Sequence, residues 1–234
     1  MLTSDTRTND ATRRDRPQNG SHPSAPKPYV AKKFDFSGIE GLSQHALEIH
    51  RSLYEGYVKE TNALLPLLSA NSGEDAAPGS AGATLERLKL DGLVRRFRFE
   101  RNGMVLHELF FETLCSNRGG KSEAANKSTA GSVFTELAEN TFGSFEAWQN
   151  NIRKLAQTRG VGWVLTVLSD QGDRLHNIWV DEHQDGLLSE GRILLAIDLW
   201  EHAFMLDYKP TERLQYLQVI FDNIDWEVVE KRCE

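Results

Sequence analysis

The chain has 234 residues and a formal net charge of −7, with 39% hydrophobic and 26% charged residues, which is typical of a globular protein with one large or two small domains. Its mild acidity argues against sequence-independent nucleic-acid binding, which needs a basic face, although a local basic funnel can still attract an anionic substrate. No apolar run approaches the ~20 residues of a membrane span, so neither nucleic acid nor membrane is an expected partner.

The N-terminal segment and the cysteines indicate the compartment. Residues 1–27 are rich in Ser, Thr, Asn, Asp, Arg and Pro, a composition that predicts a disordered tail. This segment mixes arginines with acids and lacks an apolar stretch, unlike a secretory signal or a transit peptide. Cys115 and Cys233 are far apart and outside any metal-binding spacing, which favours a reducing compartment. A cytoplasmic location is therefore expected.

Residues 28–117 predict a domain made of a long antiparallel helical hairpin. In the first arm, residues 43–65, side chains on one face recur at spacings of three and four: His50, Leu53, Tyr54, Tyr57, Thr61 and Leu64. Ser43 is a suitable N-cap. Pro66 predicts that the helix ends or kinks there.

The second arm of the hairpin is predicted over residues 85–114, where apolar side chains recur at helical spacing. Segments rich in small and polar residues, 69–82 and 116–130, predict loops on either side of this arm. His107 lies among leucine and phenylalanine residues of the second arm, as His50 lies on the apolar face of the first.

Residues 118–234 predict a second, α/β domain. It begins with helices near 131–140 and 144–157, with Ser144 as the N-cap of the second helix. Each of these helices has apolar positions at helical spacing.

Short apolar or alternating runs predict strands at residues 162–168, 175–180 and 193–197. The first two are separated by Asp-Gln-Gly-Asp at 170–173, so they predict a β-hairpin. The third is a candidate buried strand that ends in Asp198, and one or two helices are expected to close the chain.

Four residues could carry chemistry together. His202 follows Asp198 by four residues, so a helix starting there would let both side chains face one point, as metal ligands do; the alternative is a helix cap beside an ordinary histidine. His50 and His107 would each, if considered alone, be core histidines. Burying three imidazoles and a carboxylate without a shared partner is costly, and one metal ion that binds all four removes that cost.

The set of donors limits the metal. It contains no thiolate, whereas structural zinc sites more often contain cysteine. Calcium and magnesium prefer shells made only of oxygen. Three imidazoles and one carboxylate instead suit iron or manganese with an open coordination position.

Residues 198–203, Asp-Leu-Trp-Glu-His-Ala, resemble the D-x-W-E-H-A signature of the iron/manganese superoxide dismutases. The resemblance covers roughly residues 36–232. Other segments similar to landmarks of that family occur in the same order and spacing: Glu48–His50 with Tyr57, Val58 and Asn62 downstream, Phe142–Phe145, Gly160–Trp163 and Asn223–Glu227.

The resemblance implies an α+β fold, with a long antiparallel helical hairpin followed by an α/β domain that holds a three-stranded antiparallel sheet. It implies that His50, His107, Asp198 and His202 bind one iron or manganese ion per subunit, which converts superoxide to oxygen and hydrogen peroxide. It also implies a homodimer or a dimer of dimers, in which Glu201 reaches His202 of the partner subunit.

The resemblance also assigns residues around the metal. Tyr57 resembles the gateway tyrosine of the family, and a core aromatic is the alternative for that position. Trp163 and Trp200 would form walls of the site. Arg213 resembles an arginine near the entry funnel that could attract the anion, and an ordinary surface arginine is the alternative.

One departure from the family concerns a hydrogen-bond donor beside the metal. Some members have a glutamine four residues before the second ligand, where this chain has Gly103. His183 is expected to supply the donor instead, with Gln184 as the alternative. Glycine in a helix costs about 1 kcal/mol relative to alanine, which is reasonable if its missing side chain makes room for that donor. The glycine favours the arrangement seen with manganese, but a strand histidine occurs with iron as well.

A second departure concerns the dimer interface. Leu53 and Met205 stand where many members carry a histidine and a tyrosine that pair across the dimer, which predicts a re-packed interface. His50 lies seven residues before Tyr57, where many members have eight, which predicts a helix without a bulge. The alternatives to a dismutase are a catalytically altered, dismutase-like metal-binding protein and a different oxygen or peroxide enzyme on the same scaffold.

Overall fold

The computed structural model describes three stretches of the chain: residues 27–70, 79–114 and 131–234. They form a helical hairpin followed by a three-stranded antiparallel sheet with helices around it, which confirms the predicted α+β class. The predicted tail, apart from Lys27, and the predicted loop over 116–130 lie outside the described residues, as does 71–78 of the other loop. Among the described helices, none combines the length and the hydropathy needed to cross a membrane.

The hairpin consists of α1 (Gln44–Ala70) and α2 (Ala81–Leu114), which pack along each other. The face of α1 predicted from the spacing is buried, from His50 through Tyr57 to Leu64. α1 is one continuous α-helix, as expected for a helix without a bulge.

Both predicted ends of α1 can be compared with the structure. The Ser43 hydroxyl accepts a hydrogen bond from the backbone N–H of Ala46 at 3.1 Å, so the predicted N-cap is confirmed. α1 does not end at Pro66 but continues for one more turn, to Ala70. Proline removes one backbone hydrogen bond of a helix and crowds the preceding turn, and the packing of α1 along α2 offsets this local cost. In the last turn the Ser69 hydroxyl donates to the Leu65 carbonyl at 3.1 Å.

The C-terminal domain follows the predicted order of helices and strands. Its elements are α3 (Ser132–Phe142), α4 (Phe145–Leu155), β1 (Gly162–Leu168), β2 (Leu175–Asp181), β3 (Arg192–Asp198), α5 (Glu201–Phe204), α6 (Arg213–Asp222) and α7 (Trp226–Lys231). Ser144 caps α4 as predicted, because its side chain accepts from the Ala147 N–H. Three α-helices and a 3-10 turn at Pro210–Glu212 follow β3, so the expectation of one or two closing helices is wrong. α5 has only four residues, too few to show a helical period.

The sheet has the strand order β2-β1-β3, and both pairings are antiparallel. The central strand β1 is buried along its whole length, because the sheet packs between helices and α2 crosses against β3. The register places Trp163, near the start of β1, opposite Asp198, at the end of β3. The sheet therefore brings a tryptophan beside the carboxylate predicted to bind metal.

Candidate metal centre

Four side chains from four different elements converge at one point between the hairpin and the sheet. His50 of α1, His107 of α2, Asp198 of β3 and His202 of α5 have donor atoms that all lie within 4.8 Å of one another. The Nε2 atoms of His50 and His202 are each 3.1 Å from Asp198 Oδ2, and His107 Nε2 is 3.5 Å from the same oxygen. The structure thus brings together all four residues predicted as ligands.

The hairpin holds His107 in one orientation by a bond within its own helix. His107 Nδ1 lies 2.7 Å from the carbonyl oxygen of Gly103, one turn earlier, and because a carbonyl only accepts, Nδ1 carries the hydrogen. The Nε2 lone pair therefore faces the cluster. This buried nitrogen has no hydrogen-bond partner within the part of the chain that the structure describes, so a metal ion at the cluster would satisfy it.

The sheet and the residues after it hold Asp198. Its Oδ1 accepts a hydrogen bond from the backbone N–H of Trp200 at 2.8 Å. Its backbone carbonyl accepts from the buried hydroxyl of Tyr216 at 2.9 Å. With Oδ1 and the backbone both tied, Oδ2 is the oxygen that faces the three imidazoles.

The charge states of these groups suit metal binding. Burial alone would raise the pKa of Asp198, but the neighbouring imidazoles of His202 and His50 reverse that effect and hold the carboxyl well below its usual pKa. Burial lowers the pKa of His50 and lowers that of His107 much further. An ionised carboxylate and neutral imidazoles are the forms that bind a metal, and this set without thiolate suits iron or manganese.

A directed chain of hydrogen bonds runs beside the cluster, from Trp163 through His183 to Tyr57. The Trp163 indole N–H donates to His183 Nδ1 at 3.0 Å, and an indole nitrogen only donates. Burial lowers the pKa of His183 to about 4, so at neutral pH its single hydrogen is on Nε2. That nitrogen lies 2.8 Å from the Tyr57 hydroxyl oxygen and donates to it. The hydrogen of the Tyr57 hydroxyl therefore points away from His183.

His183 reaches this position through a tight turn after β2. Glu182 has a φ of 50°, in the left-handed region that non-glycine residues rarely adopt. The turn is closed by the Asp181 N–H, which donates to the Asp185 carbonyl at 2.8 Å. The adjacent Gln184 instead donates its amide to the Glu182 carboxylate at 3.1 Å. Of the two predicted alternatives, the structure places His183, and not Gln184, against Tyr57.

Gly103 makes room for a different residue from the one expected. A Cβ atom at this position would lie 2.8 Å from Cδ1 of Tyr57, closer than real contacts allow. The ring of Tyr57 thus fills the space that the missing side chain leaves, and His183 reaches only the hydroxyl of that ring. The prediction that Gly103 makes room for His183 directly is therefore wrong. The glycine makes room for the ring of Tyr57, whose hydroxyl contacts His183.

Two tryptophans lie against the site, as the resemblance implies. The ring of Trp163 is 5.1 Å from that of His107 and nearly perpendicular to it. The ring of Trp200 stacks on His183 at 4.8 Å and on His202 at 5.6 Å. Both side chains cover the imidazoles and keep that part of the cluster apolar.

Glu201 and Arg213 lie at the edge of the C-terminal domain. Glu201 is exposed on α5, beside the candidate ligand His202. The guanidinium of Arg213 donates to the carbonyls of Thr158, Gly160 and Leu199 at 2.8–3.2 Å. Arg213 thus ties the segment before β1 to the end of β3, and its role in attracting an anion stays a prediction.

Sequence reasoning missed Phe99, whose ring lies 4.6 Å from that of His183 and 6.1 Å from that of Tyr57. It covers the outer side of this pair. The signal that could have found it is spacing, because Phe99, Gly103 and His107 follow one another at four-residue intervals on α2 and so share a face.

Comparisons with known proteins agree with this geometry. A family model for the C-terminal domain of iron/manganese superoxide dismutases matches residues 130–232. The chain is 30% identical to superoxide dismutase [Mn] 2 of Haloferax volcanii over 203 residues, which cover 86% of this chain and 92% of that relative. It is 29% identical to superoxide dismutase [Fe] of Methanothermobacter thermautotrophicus, covering 91% and 93%, and 31% identical to superoxide dismutase [Fe] of Cupriavidus metallidurans, covering 81% and 87%.

Proposed function

The chain belongs to the iron/manganese superoxide dismutase family, and on that premise we propose that His50, His107, Asp198 and His202 hold one iron or manganese ion at which superoxide is dismuted. The enzyme is an oxidoreductase, as its relatives are. The observation that carries the proposal is the buried Nε2 of His107, which lies 3.5 Å from Asp198 Oδ2 and within 4.8 Å of the donor atoms of His50 and His202.

The reaction needs a redox couple and a supply of protons. A bound iron or manganese ion supplies the one-electron couple that oxidises one superoxide to oxygen and reduces a second to peroxide. Two protons are consumed for each hydrogen peroxide formed. The chain's own contribution is to bind and orient the ion and to hold a proton near the reacting anion.

Tyr57 is the residue that holds this proton in our proposal. Its oxygen accepts from His183 Nε2, so its own hydrogen is available to an anion that reaches the site. Burial, with the nearby Asp198 carboxylate, raises the pKa of Tyr57 above the usual value, which keeps the hydroxyl protonated at neutral pH. Trp163 packs on His107 and Trp200 on His202, which reduces the contact of these imidazoles with water and so strengthens the electrostatic interactions inside.

The alternative of a catalytically altered, dismutase-like protein has no specific observation in its favour. Such a protein would be expected to lack one or more donors, and this chain keeps all four together. The metal-content measurement below also separates these two functions.

The decisive experiment combines elemental analysis with direct measurement of superoxide decay. The natively expressed protein should contain about one iron or manganese ion per chain and should accelerate superoxide decay in stopped-flow mixing. The metal analysis also identifies which of the two ions is used. Full metal occupancy without any acceleration of superoxide decay would contradict the proposed function and favour the altered protein.

We further propose that the enzyme is a cytoplasmic homodimer built on the surface around His202. His202 is 21% exposed, whereas the other three candidate ligands are buried. Helices α1 and α5 contact each other, and Ile49 on α1 and Met205 and Leu206 just after α5 are exposed apolar side chains. Exposed apolar surface of this kind can mark an interface. Exposed Glu201 lies on the same edge, where it could reach His202 of the partner subunit. A dimer of dimers stays a prediction.

The dimer is tested by placing a charge on this edge. Met205→Lys should convert a dimer into a monomer in light scattering coupled to size-exclusion chromatography. Val133→Lys is the matched control, because Val133 has nearly the same exposure, 47% against 46%, and lies on α3, away from the edge. A Met205→Lys protein that stays dimeric would place the interface elsewhere.

A further inference from the structure

A charged pair on α2 lies next to the Tyr57 site and has no role in the function described so far. Arg96 and Glu100 are four residues apart on the helix, and a guanidinium nitrogen of Arg96 meets Oε1 of Glu100 in an ion pair. The two ends of the pair are in different environments, because the side chain of Arg96 is 60% exposed and that of Glu100 only 2% exposed. A buried carboxylate with an exposed cation over it is costly to build for stability alone.

The pair is linked to Tyr57 by packing. The Arg96 guanidinium lies 5.5 Å from the centre of the Phe99 ring. Phe99 in turn covers His183 at 4.6 Å and Tyr57 at 6.1 Å. On the same face of α2, Glu100 precedes Gly103 by three residues, and Gly103 is the position on which the Tyr57 ring packs. Arg96 and Glu100 therefore lie on α2 beside Phe99 and Gly103, the two positions that pack on the ring of Tyr57.

The two charges act on Tyr57 in opposite directions. The negative charge of Glu100 raises the pKa of Tyr57 after the larger effects of burial and Asp198, and the positive charge of Arg96 lowers it. A monoanion beside the Tyr57 hydroxyl would be repelled by the charge of Glu100 and attracted by the charge of Arg96. The balance of this pair thus affects the affinity of the site for an anion.

Two neighbouring arginines on α2, Arg98 and Arg101, have partners of their own. Arg98 lies 3.6 Å from the carboxylate of Asp185. Arg101 lies over the ring of Tyr29 and donates to its hydroxyl at 3.3 Å. Arg96 is the cation of this stretch whose charge acts on Tyr57.

We propose that Arg96 is a positioning residue that attracts superoxide to Tyr57 by offsetting the buried charge of Glu100, so that the Arg96–Glu100 pair sets the affinity of the gateway for small anions. The inference rests on the proposed function, since it concerns access to the same site. It adds two residues that lie outside the metal-ligand and tryptophan positions.

The test uses azide, a small monoanion, as the probe, and measures its dissociation constant by spectrophotometric titration of the metal-loaded protein. Arg96→Gln leaves Glu100 without its counter-charge and should weaken azide binding about fivefold, the size expected for a partly screened charge at this range. Glu100→Gln should strengthen azide binding by about twofold to threefold. The double variant should return close to the wild-type value, because it removes both charges.

Arg87→Gln is the matched control. Arg87 pairs with Asp91 at the same i, i+4 spacing on the same helix, at 3.5 Å, and its loss changes the net charge by the same amount. Its position nine residues before Arg96 puts it about 13 Å further along the helix, beyond the screening length at physiological salt. Azide affinity should stay at the wild-type value in this variant.

The pattern of the variants separates the possible outcomes. Opposite changes in the two single variants, with recovery in the double variant, support the pair as an electrostatic control. Weakening of azide binding in both single variants, or an equal effect of Arg87→Gln, would overturn it. If Arg96→Gln fails to fold, the comparison of Glu100→Gln with Arg87→Gln still tests the proposal. Azide should bind more tightly to Glu100→Gln than to the wild type, and its affinity for Arg87→Gln should be unchanged. Azide affinity is measured without turnover. A protein that binds metal and azide but does not dismute superoxide would therefore contradict the proposed function, while the azide affinities of the variants would still test the role of the Arg96–Glu100 pair.

Discussion

The hairpin and the C-terminal domain each contribute two donors to the candidate metal site, and they orient them in different ways. The hairpin uses helical spacing, and His107 is fixed by a bond to a carbonyl of its own helix. The C-terminal domain uses irregular positions, with Asp198 at the last residue of a strand and His202 in a helix of four residues. Long helices thus orient two of the donors, and a strand end and a short helix orient the other two.

The two halves also differ in exposure. Both hairpin histidines are buried, whereas His202 of the C-terminal domain is partly open to solvent. On the C-terminal side the rings of Trp200 and His202 stack beside the cluster, and on the hairpin side the rings of Tyr57 and Phe99 pack together. Three experiments compare how much the hairpin and the C-terminal domain each contribute to metal binding and to the free energy of unfolding.

The largest effect is expected from removing one donor of each half. His107→Ala and His202→Ala should each lower metal affinity by more than about 100-fold, since loss of even an outer partner of a metal ligand costs 10- to 100-fold. Metal content after dialysis against a chelator, measured by elemental analysis, gives the comparison.

His176→Ala is the control for this pair of variants, because His176 is an exposed histidine on β2. It should retain metal at the wild-type level. Retention of metal by His107→Ala, with loss from His202→Ala, would show that His107 is not a ligand.

An intermediate effect is expected where the hairpin receives Tyr57. Gly103→Ala places a Cβ 2.8 Å from the Tyr57 ring, and overpacking of this kind typically costs about 1–3 kcal/mol in the free energy of unfolding. Gly92 is on the same helix, and a Cβ added there would meet nothing within 4 Å among the described residues. Gly92→Ala should therefore gain about 1 kcal/mol.

Urea unfolding of the two glycine variants measures both changes on one scale. Opposite signs support close packing of Tyr57 on the backbone of α2. Equal stabilisation of the two variants would mean that Tyr57 can move aside, and that Gly103 does not position it.

The smallest effect is expected in the C-terminal half. Tyr216→Phe removes the buried hydrogen bond to the carbonyl of Asp198, which should lower the free energy of unfolding by about 1 kcal/mol. Tyr29→Phe is the control, because the Tyr29 hydroxyl accepts a solvent-exposed hydrogen bond from Arg101, and little change is expected. If Tyr216→Phe is as stable as the control, Asp198 is held by the sheet and Trp200 alone.

The hairpin was largely predictable from the sequence, because one buried face repeats every three or four residues and burial follows that period. Asp198 and His202 were predictable from a short motif whose spacing makes both face one point. Phe99 was harder to find, since this part of α2 is largely exposed and Phe97 lies only two residues before it, so that only the four-residue spacing to Gly103 and His107 distinguishes it.

The parts that escaped prediction depend on contacts between distant segments. The turn that aims His183 inward requires a left-handed Glu182, a conformation that a glutamate in the sequence does not indicate. The role of Gly103 depends on Tyr57, 46 residues away in the chain, and the continuation of α1 past Pro66 accompanies the packing of α1 along α2. Local patterns predict elements, whereas these details follow from which elements meet.

The alignment of Trp163 opposite Asp198 has a consequence for assembly of the protein. A shift of β3 by one residue would turn the Asp198 side chain to the other face of the sheet, away from the histidines of the hairpin. Only chains with correctly aligned strands can then bind the ion and gain the stabilisation that binding gives to the native state. The metal thus favours one strand alignment, because it stabilises the alignment in which Asp198 of β3 can bind the same ion as His50 and His107 of the hairpin.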